Sequence, residues 1–268
     1  MKKNIISNDC LISYDFIHKG NKPTVVLIHG LGVDRKMWQP QLDFLSDKHN
    51  VINIDVRGHG QSRPCDFFSI KVAASDLRNI LTAEKCEKSI LIGLSMGGYI
   101  VQEYAFAYGG AMGYMITGST PIFLPCYSKW EKLELARSVG MMKMYPWTFM
   151  KNKMIKSCAF TEQARRLIHP MFDEMTQSEF LQSWNGIATC LHEEKMQFDA
   201  PLLVVCGEQE NKDIKKCMKF WKSSYKNCEI KILKDAANVV NLDNVEEFNQ
   251  TMIDFIQTSQ NVLPGIKS

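Results

Sequence analysis

Lys88-Ser-Ile-Leu-Ile-Gly93-Leu-Ser95-Met96-Gly97-Gly-Tyr99 joins an apolar run, Ile90 to Ile92, to a segment whose helical spacing reaches about Ala107. The run reads as a buried parallel strand and the segment after it as a helix. Between them the Gly-x-Ser-x-Gly pattern predicts a nucleophile elbow. A serine at a sharp strand-to-helix turn is held in a strained backbone conformation, so the residues two before and two after it must be small, as Gly93 and Gly97 are. Ser95 would then project its hydroxyl from the sheet edge. The Met96 N–H, at the helix N-terminus, would meet a developing oxyanion. Glycine-flanked serines also make ordinary turns and phosphate loops, so the partners must be found elsewhere in the chain.

Working outward, strands and helices alternate. Residues 4–18 alternate apolar and polar side chains, which suits two antiparallel strands at a sheet edge. Thr24–Ile28 is β-branched and apolar on both faces, and it leads through His29-Gly-Leu31-Gly32 into a helix expected from Met37 to Ser46. Asp55-Val-Arg-Gly-His-Gly-Gln-Ser62 follows the next strand. Residues 70–84 form a helix with Ile70, Val72, Leu77, Ile80 and Leu81 on its apolar face, and Tyr114–Thr120 is another strand. From Pro121 the alternation lapses into a helical stretch rich in methionine and aromatics. It resumes at Pro201–Gly207, continues in a strand over Lys226–Leu233, and ends in a helix from Val245 to Ile256. The fold class is therefore α/β, a mostly parallel twisted sheet flanked by helices. A helical cap at 121–199 splits the core into 1–120 and 200–268, with 259–268 read as a loose tail.

At 268 residues and 45% hydrophobic content the chain can bury a large core without staples. A formal charge of +3 gives no electrostatic case for nucleic acid or an anionic membrane, and small neutral substrates suit it better. The start has two lysines but no apolar core of signal-peptide length, and no run is long enough to span a bilayer. A soluble cytoplasmic protein, monomer or homodimer, is expected. Nine scattered cysteines, with no Cys-x-x-Cys pair or His cluster at ligand spacing, imply free thiols, no metal and no cofactor.

His-Gly-Leu-Gly after an early strand, Asp55–Ser62 after the next, and Gly-Leu-Ser-Met-Gly after a third together resemble the α/β-hydrolase fold family, in its order and at its intervals. The resemblance covers nearly all the chain outside 121–199. It implies a second oxyanion amide from Leu31, a lid at 121–199, and an acid after the strand ending at Gly207. Glu210 takes that slot, with Glu208 as the neighbouring alternative; a carboxylate there orients a histidine. His29 and His59 do not occupy the family's base position and are expected to be structural. That position falls in Asp235-Ala-Ala-Asn238-Val-Val-Asn-Leu-Asp243, where the chain writes Asn238 in place of histidine. Trp38, Met142, Trp147 and Val239 are expected to line the substrate pocket.

The expected chemistry is attack by Ser95 on a small, fairly apolar ester, lactone or related carbonyl through an acyl-enzyme. A neutral amide cannot accept the serine proton. Three readings stay open: an inactivated variant of a working hydrolase, a natural pseudoenzyme or sensor that binds without turnover, and non-hydrolytic chemistry using the oxyanion hole with His169 or His192 as acid or base.

Overall fold

Eight strands form a single sheet in the computed structural model, which describes residues 1–20, 22–86 and 88–261. They are β1 (Lys2–Ser7), β2 (Cys10–Ile17), β3 (Thr24–Ile28), β4 (Asn50–Ile54), β5 (Ser89–Leu94), β6 (Gly113–Thr117), β7 (Leu202–Gly207) and β8 (Cys228–Leu233), in the order β1-β2-β4-β3-β5-β6-β7-β8. β1 and β2 pair antiparallel at one edge, β2 meets β4 antiparallel, and every pairing from β4 to β8 is parallel.

The helices are α1 (Gln39–Leu45), α2 (Ile70–Ala83), α3 (Met96–Ala107), α4 (Lys129–Lys143), α5 (Trp147–Cys158), α6 (Glu162–Asp173), α7 (Gln177–Ala188), α8 (Lys212–Ser224), α9 (Val240–Asp243) and α10 (Val245–Asn261). Successive strand residues face opposite ways, so β3 contributes Val26 and Ile28 to one core, with Leu77 of α2, Ile100 of α3 and Trp221 of α8. Val25 and Leu27 enter the other, with Leu45 of α1 and Phe248 and Met252 of α10. Covered on both faces, the central strands must be apolar throughout, which explains why they read as continuous hydrophobic runs.

α4 to α7 lie between β6 and β7, and the neck of this insertion is closed where Leu124 N–H donates to the His192 carbonyl and His192 N–H to the Ile122 carbonyl, both at 2.7 Å. Capping boxes at Ser128/Glu131 and Thr176/Glu179 start α4 and α7. Phe172 of α6 packs on the loop after β3, where a side chain at Gly32 would otherwise stand.

Several expectations shift. The helix expected at Met37 begins as a 3₁₀ turn, Arg35–Trp38, because the Asp34 side chain caps it earlier. α8 was not anticipated. Residues 259–261, expected to be loose, complete α10, where Ser259 is fully buried; the rest of that tail, 262–268, lies outside the described residues. Among the described residues no helix is long and apolar enough to cross a membrane.

Candidate active site

Ser95 sits between β5 and α3 with φ 52° and ψ −111°, a left-handed conformation that a side-chain-bearing residue adopts only when its surroundings impose it. Here they do. Its N–H donates to the Thr117 carbonyl at 2.7 Å, while its carbonyl accepts from Gly98 N at 2.9 Å and Ser119 Oγ at 2.7 Å. The flanking glycines are a steric necessity: a Cβ on Gly93 would lie 2.2 Å from the Gly97 carbonyl oxygen, and one on Gly97 2.1 Å from that of Ile28. The Ser95 side chain stays half-exposed.

Met96 opens α3, so its N–H has no intrahelical acceptor and lies at the positive end of the helix dipole. The loop after β3 comes close, since a Cβ on Gly30 would stand 3.3 Å from the Ser95 Cβ. That contact brings Leu31 beside the elbow. His29 supports the loop from beneath: its Nε2 accepts from Val56 N–H at 3.0 Å, which leaves Nδ1 to donate to the Gly30 carbonyl at 2.8 Å. Burial holds His29 below its ordinary pKa and pushes His59 down to about 3, so both rings are neutral supports.

The two glutamates after β7 differ in burial. Glu208 is exposed, whereas Glu210 is buried and receives hydrogen bonds from Asn211 N–H at 2.9 Å and Asn238 Nδ2 at 3.1 Å. Asn238 Nδ2 also donates to the Gly118 carbonyl at 3.0 Å. Both partners are acceptors, which fixes the orientation of the amide. Position 238 therefore holds a donor bound to the carboxylate, as an imidazole there would be, but with no basic lone pair. Burial raises the Glu210 pKa, and the two N–H donors only partly oppose it.

Trp38 and Val239 are corrections to the expected pocket. Trp38 is fully buried against Phe248, ring centroids 6.1 Å apart, because α10 closes over it. Val239 is core as well, its N–H donating to the Cys158 carbonyl at 2.9 Å. Trp147 serves packing within the insertion: its indole N–H donates to the Met175 carbonyl at 3.1 Å and its ring meets Phe180. Met142 does line a cavity of about 610 Å³, with Leu135, Trp184, Thr120 and, from α8, Lys216 and Phe220. Ser95 is not part of its wall. The α8 contribution was missed, although Cys217, Phe220 and Trp221 recur at helical spacing and would have revealed an inward face. His169 sits exposed on α6 against Asp173 at 3.0 Å, and His192 Nε2 lies 2.5 Å from the buried Glu103 carboxylate.

A mostly parallel sheet with helices on both faces and a strained Ser95 turn at the carboxyl end of β5 defines an α/β-type hydrolase scaffold. The chain belongs to the alpha/beta hydrolase family, whose family profile matches residues 25–251. Among curated relatives, 3-oxoadipate enol-lactonase 1 of Acinetobacter baylyi is 25% identical over 244 residues, 90% of this chain and 91% of that protein. A pimeloyl-[acyl-carrier protein] methyl ester esterase of Yersinia enterocolitica is 21% identical, over 88% of this chain and 93% of that protein. Among solved structures, a thermophilic esterase from Thermogutta terrifontis superposes with a TM-score of 0.82 at 20% identity, covering 97% and 99% of the two chains.

Proposed function

We propose that this chain is a serine-hydrolase scaffold for small, fairly apolar carboxylic esters or lactones, and that Asn238 impairs its turnover. In the working form of such a site, a base at position 238 takes the Ser95 proton as Oγ attacks the carbonyl carbon. The Leu31 and Met96 amides bind the oxyanion, the protonated base delivers the proton to the leaving alkoxide, and water then hydrolyses the acyl-enzyme. Glu210 orients the base and stabilises its charged form.

One observation carries the impairment: the Asn238 amide donates to both Glu210 and the Gly118 carbonyl and offers Ser95 no base. Ser95 keeps its proton, while the oxyanion amides and binding surfaces are untouched. Loss of a triad histidine costs on the order of a millionfold in turnover, about 8 kcal/mol of barrier. The non-hydrolytic reading has less support, because His169 and His192 are engaged by Asp173 and Glu103.

Asn238→His, assayed on a panel of chromogenic esters, should raise kcat/KM by several orders of magnitude, and Ser95→Ala in that background should abolish the gain. No gain, with ligand affinity equal in both forms, would replace the impaired hydrolase with a binding protein or sensor.

A further inference from the structure

We infer that the cavity enclosed by α4, α7 and α8 receives the uncharged, apolar acyl part of the substrate and rejects acyl groups that end in a carboxylate. The inference rests on the ester-or-lactone reading and names the substrate class within it.

The position of the cavity ties it to the elbow. Thr120 forms part of its wall, two residues beyond Gly118, whose carbonyl holds Asn238, and next to Ser119, whose hydroxyl holds the Ser95 carbonyl. Gly118 and Thr120 can be no more than about 7 Å apart along the chain, so the wall begins within a small molecule's length of Ser95. The volume of about 610 Å³ suits a small-molecule ligand.

The wall is mostly apolar, and the hydroxyls and indole N–H of Thr120, Tyr127, Ser138 and Trp184 are already engaged. Among the described lining residues, the unpaired polar groups are the Tyr145 hydroxyl and the acidic side chains Glu134 and Asp213. Leu135, Met141, Met142, Trp184 and Phe220 supply most of the wall, and Met141 remains 44% exposed. The Trp184 indole N–H donates to Ser138 Oγ at 2.7 Å, and the Ser138 hydroxyl to the Leu135 carbonyl at 2.6 Å. The Tyr127 hydroxyl is engaged with Thr120 Oγ1 and the Pro121 carbonyl. A polar acyl chain would be desolvated with few replacement partners.

The charges at the wall are predominantly acidic. Glu131, Glu134 and Asp213 face a single cation among the described lining residues, Lys216, and Lys216 is held by Glu131 at 2.8 Å. The remaining lysines of α8 stand outside the wall. Glu134 and Asp213 are exposed at its rim and screened by solvent, so the half-buried Glu131, which already holds Lys216, is the charge an entering tail meets most strongly. A carboxylate tail entering here would approach like charges and could gain Lys216 only by displacing Glu131. A neutral tail disturbs nothing.

Two non-hydrolysable probes of equal length, octanamide and the monoamide of suberic acid, isolate the terminal carboxylate. Calorimetric titration of the full chain at pH 7 should show octanamide binding at least about tenfold tighter. Glu131→Gln preserves the α4 capping box, because glutamine also serves at that position, while releasing Lys216; it should tighten binding of the suberic monoamide and leave octanamide unchanged. Met142→Trp or, independently, Leu135→Trp should weaken octanamide about tenfold or more by filling the cavity, in variants whose thermal unfolding shows an intact fold. Equal or tighter binding of the acid-ended probe, or octanamide binding indifferent to both fillings, would overturn the assignment. The hydrolase reading fails separately: an Asn238→His chain that binds octanamide but cleaves no ester would sink that reading, leaving only the cavity's preference for an uncharged chain. Cleavage of octanoyl and suberoyl half-esters at equal efficiency would do the reverse.

Discussion

Glu210 lies buried against Asn238, whose position the proposed function gives to an imidazole. Buried beside an amide, its carboxylate loses hydration and gains only N–H donors, so its folded-state pKa lies above that of the unfolded chain. For an acid raised on folding, the folded state holds its proton more tightly. Stability is therefore fully present below the unfolded pKa and is lost as pH rises through the folded one. Glu210→Gln removes that loss: the Tm of the variant relative to the parent should be more favourable at pH 8 than at pH 5, and any constant cost of the new side chain cancels in the comparison. With Asn238→His present the sign changes for activity, because an imidazolium would then need the carboxylate. In that background Glu210→Gln should cost about 10⁴-fold in kcat. A Tm difference that is flat with pH would show that the buried carboxylate carries no burial penalty.

At the level of elements, Asp243 at the end of α9 fastens the helical insertion to the loop that carries Asn238. Its Oδ1 accepts from Thr161 N–H at 2.7 Å and Thr161 Oγ1 at 2.9 Å, and its Oδ2 from Phe160 N–H and Ala237 N–H, each at 3.0 Å. One carboxylate thus positions the start of α6 and the residue before the base position. Asp243→Ala strands three backbone donors and should cost about 2–3 kcal/mol, read as a lower urea midpoint at unchanged slope. In the Asn238→His background it should lower kcat as well, because position 238 loses its anchor; a variant with full kcat would show that the loop holds its shape unaided. This junction was not legible in the sequence, since Asp243 meets Phe160 and Thr161 only after the insertion has folded back across more than 80 residues. Trp38 failed for the same reason, its burial being decided by Phe248 far along the chain. The elbow could be read because its requirement is local: Gly93 and Gly97 must lack side chains in any chain that makes this turn. The pairing of Asn238 with the buried Glu210, 28 residues away, joins two loops that were legible only through the family pattern around them.

Across the whole molecule the loops after β3 and β4 meet through two buried imidazoles, His29 and His59, with ring centroids 5.2 Å apart. This pair predicts how the fold responds to acid. Burial drives both below the ordinary histidine pKa, His59 to about 3. For a base depressed on folding, the unfolded chain binds protons that the folded chain refuses, so stability is present above the unfolded pKa near 6.5 and is lost as pH falls toward the folded one. A group held as far down as His59 contributes a slope of up to about 1.4 kcal/mol per pH unit below pH 6, and His29 adds to it in the same sense. Against a typical total stability of about 5–15 kcal/mol, such a slope sustained over about two pH units removes a substantial fraction. Glu210 titrates in the opposite sense and softens the decline without reversing it. Replacing His59 with Gln, which keeps an amide to donate to the Arg57 carbonyl that His59 Nδ1 now meets at 3.1 Å, removes one of the two protons from the balance. Urea unfolding at pH 7, 6 and 5 should then show a shallower pH slope of stability in the variant, by up to about 1.4 kcal/mol per pH unit, while His29 and the partly buried His49 keep their share. Equal slopes in the two proteins would mean that the buried His59 ring is not a group that acid attacks.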